Sequence, residues 1–530
     1  MFPRVTKCLA AWLAAGCLLA GCGSRRGPAD RPAEKSPGAS ASRSARQPVA
    51  RRPKAEGSIP PDTGTPPTAV ARGPGADEIA AAVKPVNAAP RPMANLPRPR
   101  VDDARATAAG IRKLSGQRLT LYTDLPPGEE IDQLPNLFDQ AFPQWCKYFD
   151  VDAAGHSDWK MTGFLIKDKD AFRRTGLLPE GLPPFQNAFS RNRELWFYDQ
   201  PSGYYRRHLL LHEGTHGFMN TILGGCGPPW YMEGMAELLA THRWQDGRLT
   251  LNYLPAQRDE VPYWGRIRII KDAVAAGRPM YLNDVIAYPI QAHLETEPYA
   301  WCWAAAALLD RHPRYRDRFH QLSKLVAKPD FNQRFYALMG DDWEPLCEEW
   351  QLLVTNLEYG YDIARTAVDF TPGKPLPPVG ASVAVAADRG WQNTGLRLEA
   401  GVEYQLRASG RYQVADKPQI WWCEPGGVSI RYYQGRPLGI LLAAVRADSG
   451  LHAHASVGMP PSSAQSVGMP PSSAQSVGMA PSSALLRPTV VGLGATLTPN
   501  DTGTLYLKTN DSPAELADNA GQLKVEIRRR

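Results

Sequence analysis

The segment His212-Glu-Gly-Thr-His216 lies in a stretch of helical character and carries two histidines four residues apart. On an α-helix, residues i and i+4 lie on one face, so His212 and His216 can bind a single metal ion. Glu213 lies one position along, where its carboxylate can face a water molecule at that ion. The pattern therefore predicts a helix that supplies two ligands to one metal.

A second segment, Pro229-Trp-Tyr-Met-Glu-Gly-Met-Ala-Glu237, follows with sixteen residues between His216 and Glu233. Two histidines, one carboxylate and an open fourth position are typical of a catalytic zinc site and not of a structural one. The alternative is an amphipathic helix with surface His and Glu residues, which leaves the second segment unexplained. His208 lies one turn before His212, and we interpret it as a surface residue or as a support for a ligand.

Together the two segments resemble the zinc-binding helices of the gluzincins, the clan of thermolysin and the alanyl aminopeptidases. The resemblance implies that Glu233 is the third zinc ligand and that Glu213 is the general base. It also implies that Glu237, one turn later, hydrogen-bonds a ligand histidine. It covers about residues 117–363, and it predicts a zinc metallopeptidase.

Pro298-Tyr299 opens an Ala-rich predicted helix and resembles the aminopeptidase segment that carries the catalytic tyrosine. The resemblance makes Tyr299 the candidate donor to the oxyanion, and the alternative is a packed aromatic residue. No G-x-M-E-N-like segment, which aminopeptidases use to hold a free N-terminus, occurs upstream. The sequence therefore favours an endopeptidase, with the strand at 194–198 expected to pair with an extended peptide.

Alternation and apolar spacing predict strands at 118–123, 160–166 and 194–198 and a helix at 131–149. From residue 204 to about 357 the pattern is mostly helical, ending with helices at 299–310 and 342–357. These elements indicate an α+β fold, in which a small mixed sheet is followed by a helical part.

The N-terminus has the composition of a targeting segment, residues 1–22. Arg4 and Lys7 precede an apolar stretch that ends in Leu19-Ala20-Gly21-Cys22, which resembles the lipobox of bacterial lipoproteins. The resemblance implies that Cys22 is lipidated and that the protein is anchored in a membrane of the cell envelope, facing the periplasm or the exterior. The alternative is a plain secretory signal.

Residues 23–116 are rich in Pro, Ala, Arg and Ser, and they predict a disordered tether. Residues 1–116 hold 19 Lys and Arg against 8 Asp and Glu, so the remaining residues hold 41 against 45. The net charge of +7 therefore comes from the N-terminal part, and it does not indicate a nucleic-acid partner.

After a Pro-rich linker, residues 364–377, short alternating runs with Gly and Asn turns predict an all-β sandwich at 378–530. A ten-residue repeat begins at Val457, Val467 and Val477. Three polar copies containing Pro cannot form a solenoid core at this period, so residues 456–485 are interpreted as a low-complexity loop.

Asp511, Asp518, Asn519 and Gly521 fall in a C-terminal segment that resembles the calcium- and sugar-binding loop of the bacterial galactophilic lectin, with Asp518 replacing an Asn. The resemblance implies a Ca²⁺ site with oxygen ligands from Asp511, Asp518 and Asn519, and with carbonyls of Glu515 and of a residue near Val414. The alternative is a hairpin whose Asn and Asp residues only turn the chain.

Two functions remain open at this point. The first is a zinc peptidase with a peptide or protein substrate at the cell envelope, together with an accessory calcium- and carbohydrate-binding module that contacts envelope glycan. The second is a catalytically silent adhesin that uses the lectin-like module, but the retained Glu213 favours the enzyme. Five cysteines remain for an oxidising compartment, an odd number that leaves at least one without an intrachain partner: Cys146, Cys226, Cys302, Cys347 and Cys423.

Overall fold

The computed structural model describes residues 100–291, 295–448 and 483–530. The expected signal peptide with Cys22, most of the expected tether and nearly all of the repeat loop lie outside these residues. Within the described ranges, the helices are too short or too polar to cross a bilayer.

The N-terminal sheet has five strands in the order β1-β2-β3-β5-β4. The pairs β2/β3 and β3/β5 are parallel, and the outer strands β1 and β4 are antiparallel to their neighbours. Four helices lie between the strands or precede them. The bounds are α1 Asp103–Ala108, β1 Arg112–Ser115, β2 Leu119–Thr123, α2 Glu129–Asp132, α3 Leu134–Phe149, β3 Met161–Ile166, α4 Lys169–Thr175, β4 Ala188–Arg191 and β5 Glu194–Tyr198.

The ordered part begins earlier than the expected end of the tether at residue 116. Helix α1 is capped by the Asp102 side chain, and β1 pairs with β2. Ala106 and Ile111 are buried, because this short segment covers one side of the sheet. The tether was assigned from the composition of the whole segment, in which these few apolar positions are outnumbered by the Pro-rich residues before them.

The strand expected to pair with substrate, β5, is not an edge strand. It lies between β3 and β4, and β4 forms the edge of the sheet. The strands β4 and β5 form a tight hairpin with Asn192 in the left-handed region at φ 57°. The sequence analysis missed β4 because it is short and has no fully buried residue.

A helical part follows the sheet. Its bounds are α5 Gly203–Phe218, α6 Pro229–Ala240, β6 His242–Gln245, β7 Arg248–Leu251, α7 Arg266–Ala275, α8 Leu282–Ile286, α9 Thr296–Arg311, α10 Arg316–Gln321, α11 Phe331–Met339, α12 Trp343–Asn356 and α13 Ile363–Thr366. Two glycines permit its closest packing. A Cβ at Gly214 would lie 2.5 Å from the Phe138 ring of α3, and one at Gly234 would lie 2.8 Å from the Cys302 carbonyl oxygen of α9. Because these two positions carry no side chain, α5 packs closely against α3, and α6 packs closely against α9.

The C-terminal region is rich in strands and contains a five-stranded sheet, β17-β16-β19-β10-β8, a four-stranded sheet, β18-β11-β20-β9, and two hairpins. Inward residues alternate along β20, where Leu523, Val525 and Ile527 are buried. The bounds are β8 Lys374–Pro375, β9 Ala381–Ala386, β10 Gln392–Leu398, β11 Tyr404–Ser409, β12 Tyr412–Ala415, β13 Trp421–Cys423, β14 Val428–Tyr433, β15 Arg436–Leu438, β16 Leu441–Ala447, β17 Thr489–Val490, β18 Gly494–Leu497, β19 Gly503–Thr509 and β20 Gln522–Arg529.

The expected linker, residues 364–377, is packed along much of its length. It contributes β8 to the five-stranded sheet, and Val368 and Phe370 are buried in a cluster with Leu352 of α12 and Tyr506 of β19. This cluster joins the helical part to the strand-rich region. The five cysteines expected to permit disulfides are free, and four of them are buried.

Candidate metal centre

Helix α5 carries the histidine pair, and its start is fixed by Ser202, whose hydroxyl accepts a hydrogen bond from the Tyr205 backbone N–H. The helix is buried on nearly every side, which explains why its apolar residues do not form a single stripe. His212, Glu213 and His216 are 6–8 % exposed. Glu233 comes from α6, which begins with Pro229 at its first position and packs along α5.

The structure brings the three expected zinc ligands together. The Nε2 atoms of His212 and His216 lie 3.1 Å apart, and Oε2 of Glu233 lies 3.2 Å from the first and 3.4 Å from the second. A tetrahedral site with metal–ligand bonds of about 2.0–2.1 Å has its ligand atoms about 3.3–3.4 Å apart. The edges of the observed triangle lie within about 0.2 Å of these spacings.

Hydrogen bonding within the cluster leaves one of these three atoms without a donor. Oε2 of Glu233 is buried and accepts no hydrogen bond from any described residue. Nδ1 of His212 lies 3.3 Å from Glu237, which leaves Nε2 of this ring directed at Glu233. A buried carboxylate oxygen without a donor is costly unless a cation contacts it, so the donor set fits a divalent metal.

The electrostatics of the cluster favour positive charge. Burial would lower the pKa of His212, but contacts with the carboxylates of Glu233 and Glu237 raise it to about 10. Burial would raise the pKa of Glu233, but His216 and His212 lower it to about 2. The carboxylates therefore remain ionised and stabilise a cation next to the two imidazoles.

Glu237 supports the ligands from behind. One of its oxygens is 3.3 Å from Nδ1 of His212, and Arg266 of α7 donates two hydrogen bonds of 2.9 Å to its carboxylate. Trp264 donates a further one. Burial raises the pKa of Glu237, but Arg266 and His208 hold it well below its usual value. The carboxylate is thus a fixed anion that orients the His212 ring.

The sequence analysis missed Arg266 and left His208 undecided. His208 is fully buried, with its ring contacting Glu237 and the Ala240 carbonyl, so it supports the site and is not on the surface. Arg266 lies 29 residues after Glu237 in no recognisable spacing. The only available signal was an arginine that opens a helix between apolar residues Trp264 and Ile267.

Tyr299 lies in the first turn of α9, with its ring 5.8 Å from that of His212 and 5.6 Å from the Arg266 guanidinium. Burial raises its pKa, and the carboxylates of Glu233 and Glu213 raise it further. The phenol therefore stays protonated at neutral pH and keeps its hydrogen-bond donor beside the cluster.

The expected calcium residues lie between β19 and β20. Asn519 donates a hydrogen bond of 2.8 Å to Asp511, and burial raises the pKa of Asp511 to about 7. Oδ1 of Asp518 and Oδ1 of Asn519 are buried and accept no hydrogen bond from a described residue. Asp511 and Asn519 are 3 % and 6 % exposed, whereas Asp518 is partly exposed.

No family model matches this chain. No curated protein matches it either. Among solved structures, one that matches is described as "EclA N-terminal domain; PllA-like lectin", with 21 % identity and a TM-score of 0.18. The match covers 28 % of this chain and 95 % of that chain.

Proposed function

We propose that this protein is a zinc-dependent peptidase of the gluzincin type that hydrolyses peptide bonds in a peptide or protein substrate. The triangle formed by His212, His216 and Glu233 carries the proposal, because its dimensions are close to those of three corners of a zinc tetrahedron. Glu213, next to a ligand histidine on the same buried helix, supplies the group that such a site needs for catalysis.

In this proposal His212, His216 and Glu233 would hold a zinc ion, which would supply Lewis acidity to the scissile carbonyl and to the attacking water. Glu213 takes a proton from the water molecule that attacks the carbonyl carbon. The same carboxyl group then gives the proton to the leaving amine nitrogen as the C–N bond breaks. The Tyr299 hydroxyl donates a hydrogen bond to the carbonyl oxygen as negative charge develops on it.

We expect the purified full-length protein to cleave a denatured protein substrate, and a chelator to abolish cleavage. Added Zn²⁺ should restore it, because the two imidazoles and one carboxylate suit zinc and not Mg²⁺ or Ca²⁺. The measurement is fragment release followed by mass spectrometry, with zinc content determined in parallel. A zinc-loaded protein that cleaves nothing in a broad peptide library would favour the alternative, a catalytically silent adhesin.

An endopeptidase is the form of this activity that we favour, since the chain lacks a segment like the one that aminopeptidases use to hold a free N-terminus. The edge strand β4 is available to pair with an extended peptide.

We place the enzyme at the cell envelope, held in the membrane by a lipid on Cys22. Release of a Cys22→Ser variant from the membrane fraction tests this anchor.

A second proposed function is calcium binding by the loop between β19 and β20. Two observations support it: buried oxygens of Asp518 and Asn519 accept no hydrogen bond from a described residue, and the Asn519 side chain donates a hydrogen bond to the carboxylate of Asp511. This loop also touches the helical part, because Ser512 donates to Glu358 and the Asp362 N–H donates to the Pro513 carbonyl. A glycan would have to reach the ion beside Asp518, the most exposed of the three expected ligands.

Calcium at millimolar concentration should raise the melting temperature of the full-length protein, because a ligand bound only by the folded state stabilises it by mass action. At a hundred times the dissociation constant the stabilisation is about 2.7 kcal/mol. The Asp518→Ala variant should lose the shift, while Asp501→Ala, which alters an exposed turn residue, should keep it. A calorimetric scan that calcium leaves unchanged would reduce the loop to a chain turn.

A further inference from the structure

A cavity lies away from the metal centre, between the helical part and the segment that leads into the strand-rich region. Its volume is about 840 Å³, and it is lined by the C-terminal end of α9, by α3, by α10 and by residues 360–364. Leu239 of α6 also lines the cavity. Leu239 is two residues after Glu237, which is about 200° around the helix, so the cavity and the metal centre lie on different faces of α6. Cavities of this size accept small organic molecules.

The cavity is lined by three cationic side chains that form no ion pair with a described residue. The side chains of Lys147 and Arg316 form no ion pair or hydrogen bond with any residue in the described ranges, and Arg311 forms no ion pair there. Arg311 donates through Nη2 to Asn252, but its Nε is buried and donates to no described atom. Burial lowers the pKa of Arg311, which records the cost of keeping this charge away from water.

The two acids that line the cavity are already engaged. Asp310 accepts hydrogen bonds of 2.7–2.8 Å from Tyr148, Asn252 and His320. Asp362 caps the helix α13 and pairs with Arg365. Neither carboxylate forms an ion pair with Lys147, Arg311 or Arg316 in the part of the chain that the structure describes, and the three cations outnumber the two acids that line the cavity.

The lining also contains apolar and aromatic residues, among them Leu239, Leu251, Leu254, Tyr361 and Ile363, next to the polar side chains of Gln144 and Asn252. An occupant therefore needs an anionic group for the guanidinium of Arg311 and an apolar or ring-shaped body for the remaining wall. We propose that this cavity is a binding site for a small organic anion that carries a carboxylate or phosphate group, separate from the zinc site and independent of peptide hydrolysis.

The proposal is tested by calorimetric titration of the full-length protein with phenyl phosphate, with benzoate and with uncharged benzyl alcohol. We expect at least one of the two anions to bind and benzyl alcohol not to bind, and the stronger anion identifies the preferred group. The double variant Lys147→Gln/Arg316→Gln should bind at least about tenfold more weakly, because each charge-assisted hydrogen bond is lost. Both residues are exposed, so their replacement should leave the fold unchanged.

Arg334→Gln is the matched control, because Arg334 is an exposed arginine on α11 outside the cavity. It should leave the affinity unchanged. Arg311→Gln should abolish binding, and circular dichroism checks that this variant is folded. Equal affinity in the Lys147/Arg316 double variant and the parent, or no binding of either anion below about ten millimolar, would overturn the assignment.

Discussion

The Glu213→Gln variant should lose peptide hydrolysis by about 10²-fold or more while it binds zinc as the parent protein does. The amide has the size of the carboxylate but cannot accept the proton of the attacking water. Glu213 contributes no atom to the ligand triangle, so His212, His216 and Glu233 should hold the ion unchanged. The loss should therefore appear in kcat, with little change in the KM for peptide.

Three measurements make this expectation specific. Zinc content and affinity are determined for the parent and the variant, so that metal loss and loss of the base are distinguished. Glu180→Gln, an exposed carboxylate in a loop, serves as the matched control and should retain full activity. Tyr299→Phe should slow kcat by a smaller factor, because it removes one donor to the oxyanion. Undiminished cleavage by a zinc-loaded Glu213→Gln variant would remove the base from the mechanism.

Local pattern was sufficient to predict the helices that carry the site. The spacing of His212 and His216 requires a helical face, and a Glu-bearing apolar segment must pack nearby if both are to share an ion. Strands with several buried neighbours, such as β3 and β5, were likewise visible as apolar runs. In each case the residues that form the pattern lie within a few positions of one another in the sequence.

The missed features depend on contacts between distant segments. The edge strand β4 is half-buried and four residues long, so only its pairing with β5 defines it. The packing of Val368 and Phe370 between the helical part and the strand-rich region depends on residues more than a hundred positions later. Arg266 has no spacing relation to Glu237, and only tertiary packing places them together.

The contact between Arg266 and Glu237 is also the basis of the second prediction, a large loss of folding stability. Arg266→Gln should destabilise the folded protein by about 3–5 kcal/mol, because it leaves the buried Glu237 carboxylate without its bidentate partner. Both side chains are nearly inaccessible, so water cannot replace the lost hydrogen bonds. The measurement is the free energy of unfolding from urea titration, made on metal-free protein so that zinc binding does not contribute.

Arg268→Gln on the same helix is the matched control. Arg268 is exposed, and among the described residues it forms an ion pair with Asp272 one turn later, so its replacement should cost less than about 1 kcal/mol. Arg266→Lys should recover part of the stability, since it restores the charge but not the two-pronged geometry of the guanidinium. Similar losses of unfolding free energy from Arg266→Gln and Arg268→Gln would show that the buried Arg266–Glu237 pair contributes no more stability than the exposed pair of Arg268.

Zinc affinity distinguishes a positioning role for Arg266 from a purely structural one. Arg266 fixes Glu237, and Glu237 fixes the ring of His212, so loosening the first contact should weaken zinc binding about 10–100-fold. Competition with a chromophoric chelator, under conditions where the variant is still folded, measures this directly. The paired replacement Arg266→Met/Glu237→Met should recover stability by removing both buried charges, yet it should not recover zinc affinity, because the His212 ring then has no carboxylate to orient it. Recovery of both quantities would assign the Arg266–Glu237 pair to folding alone.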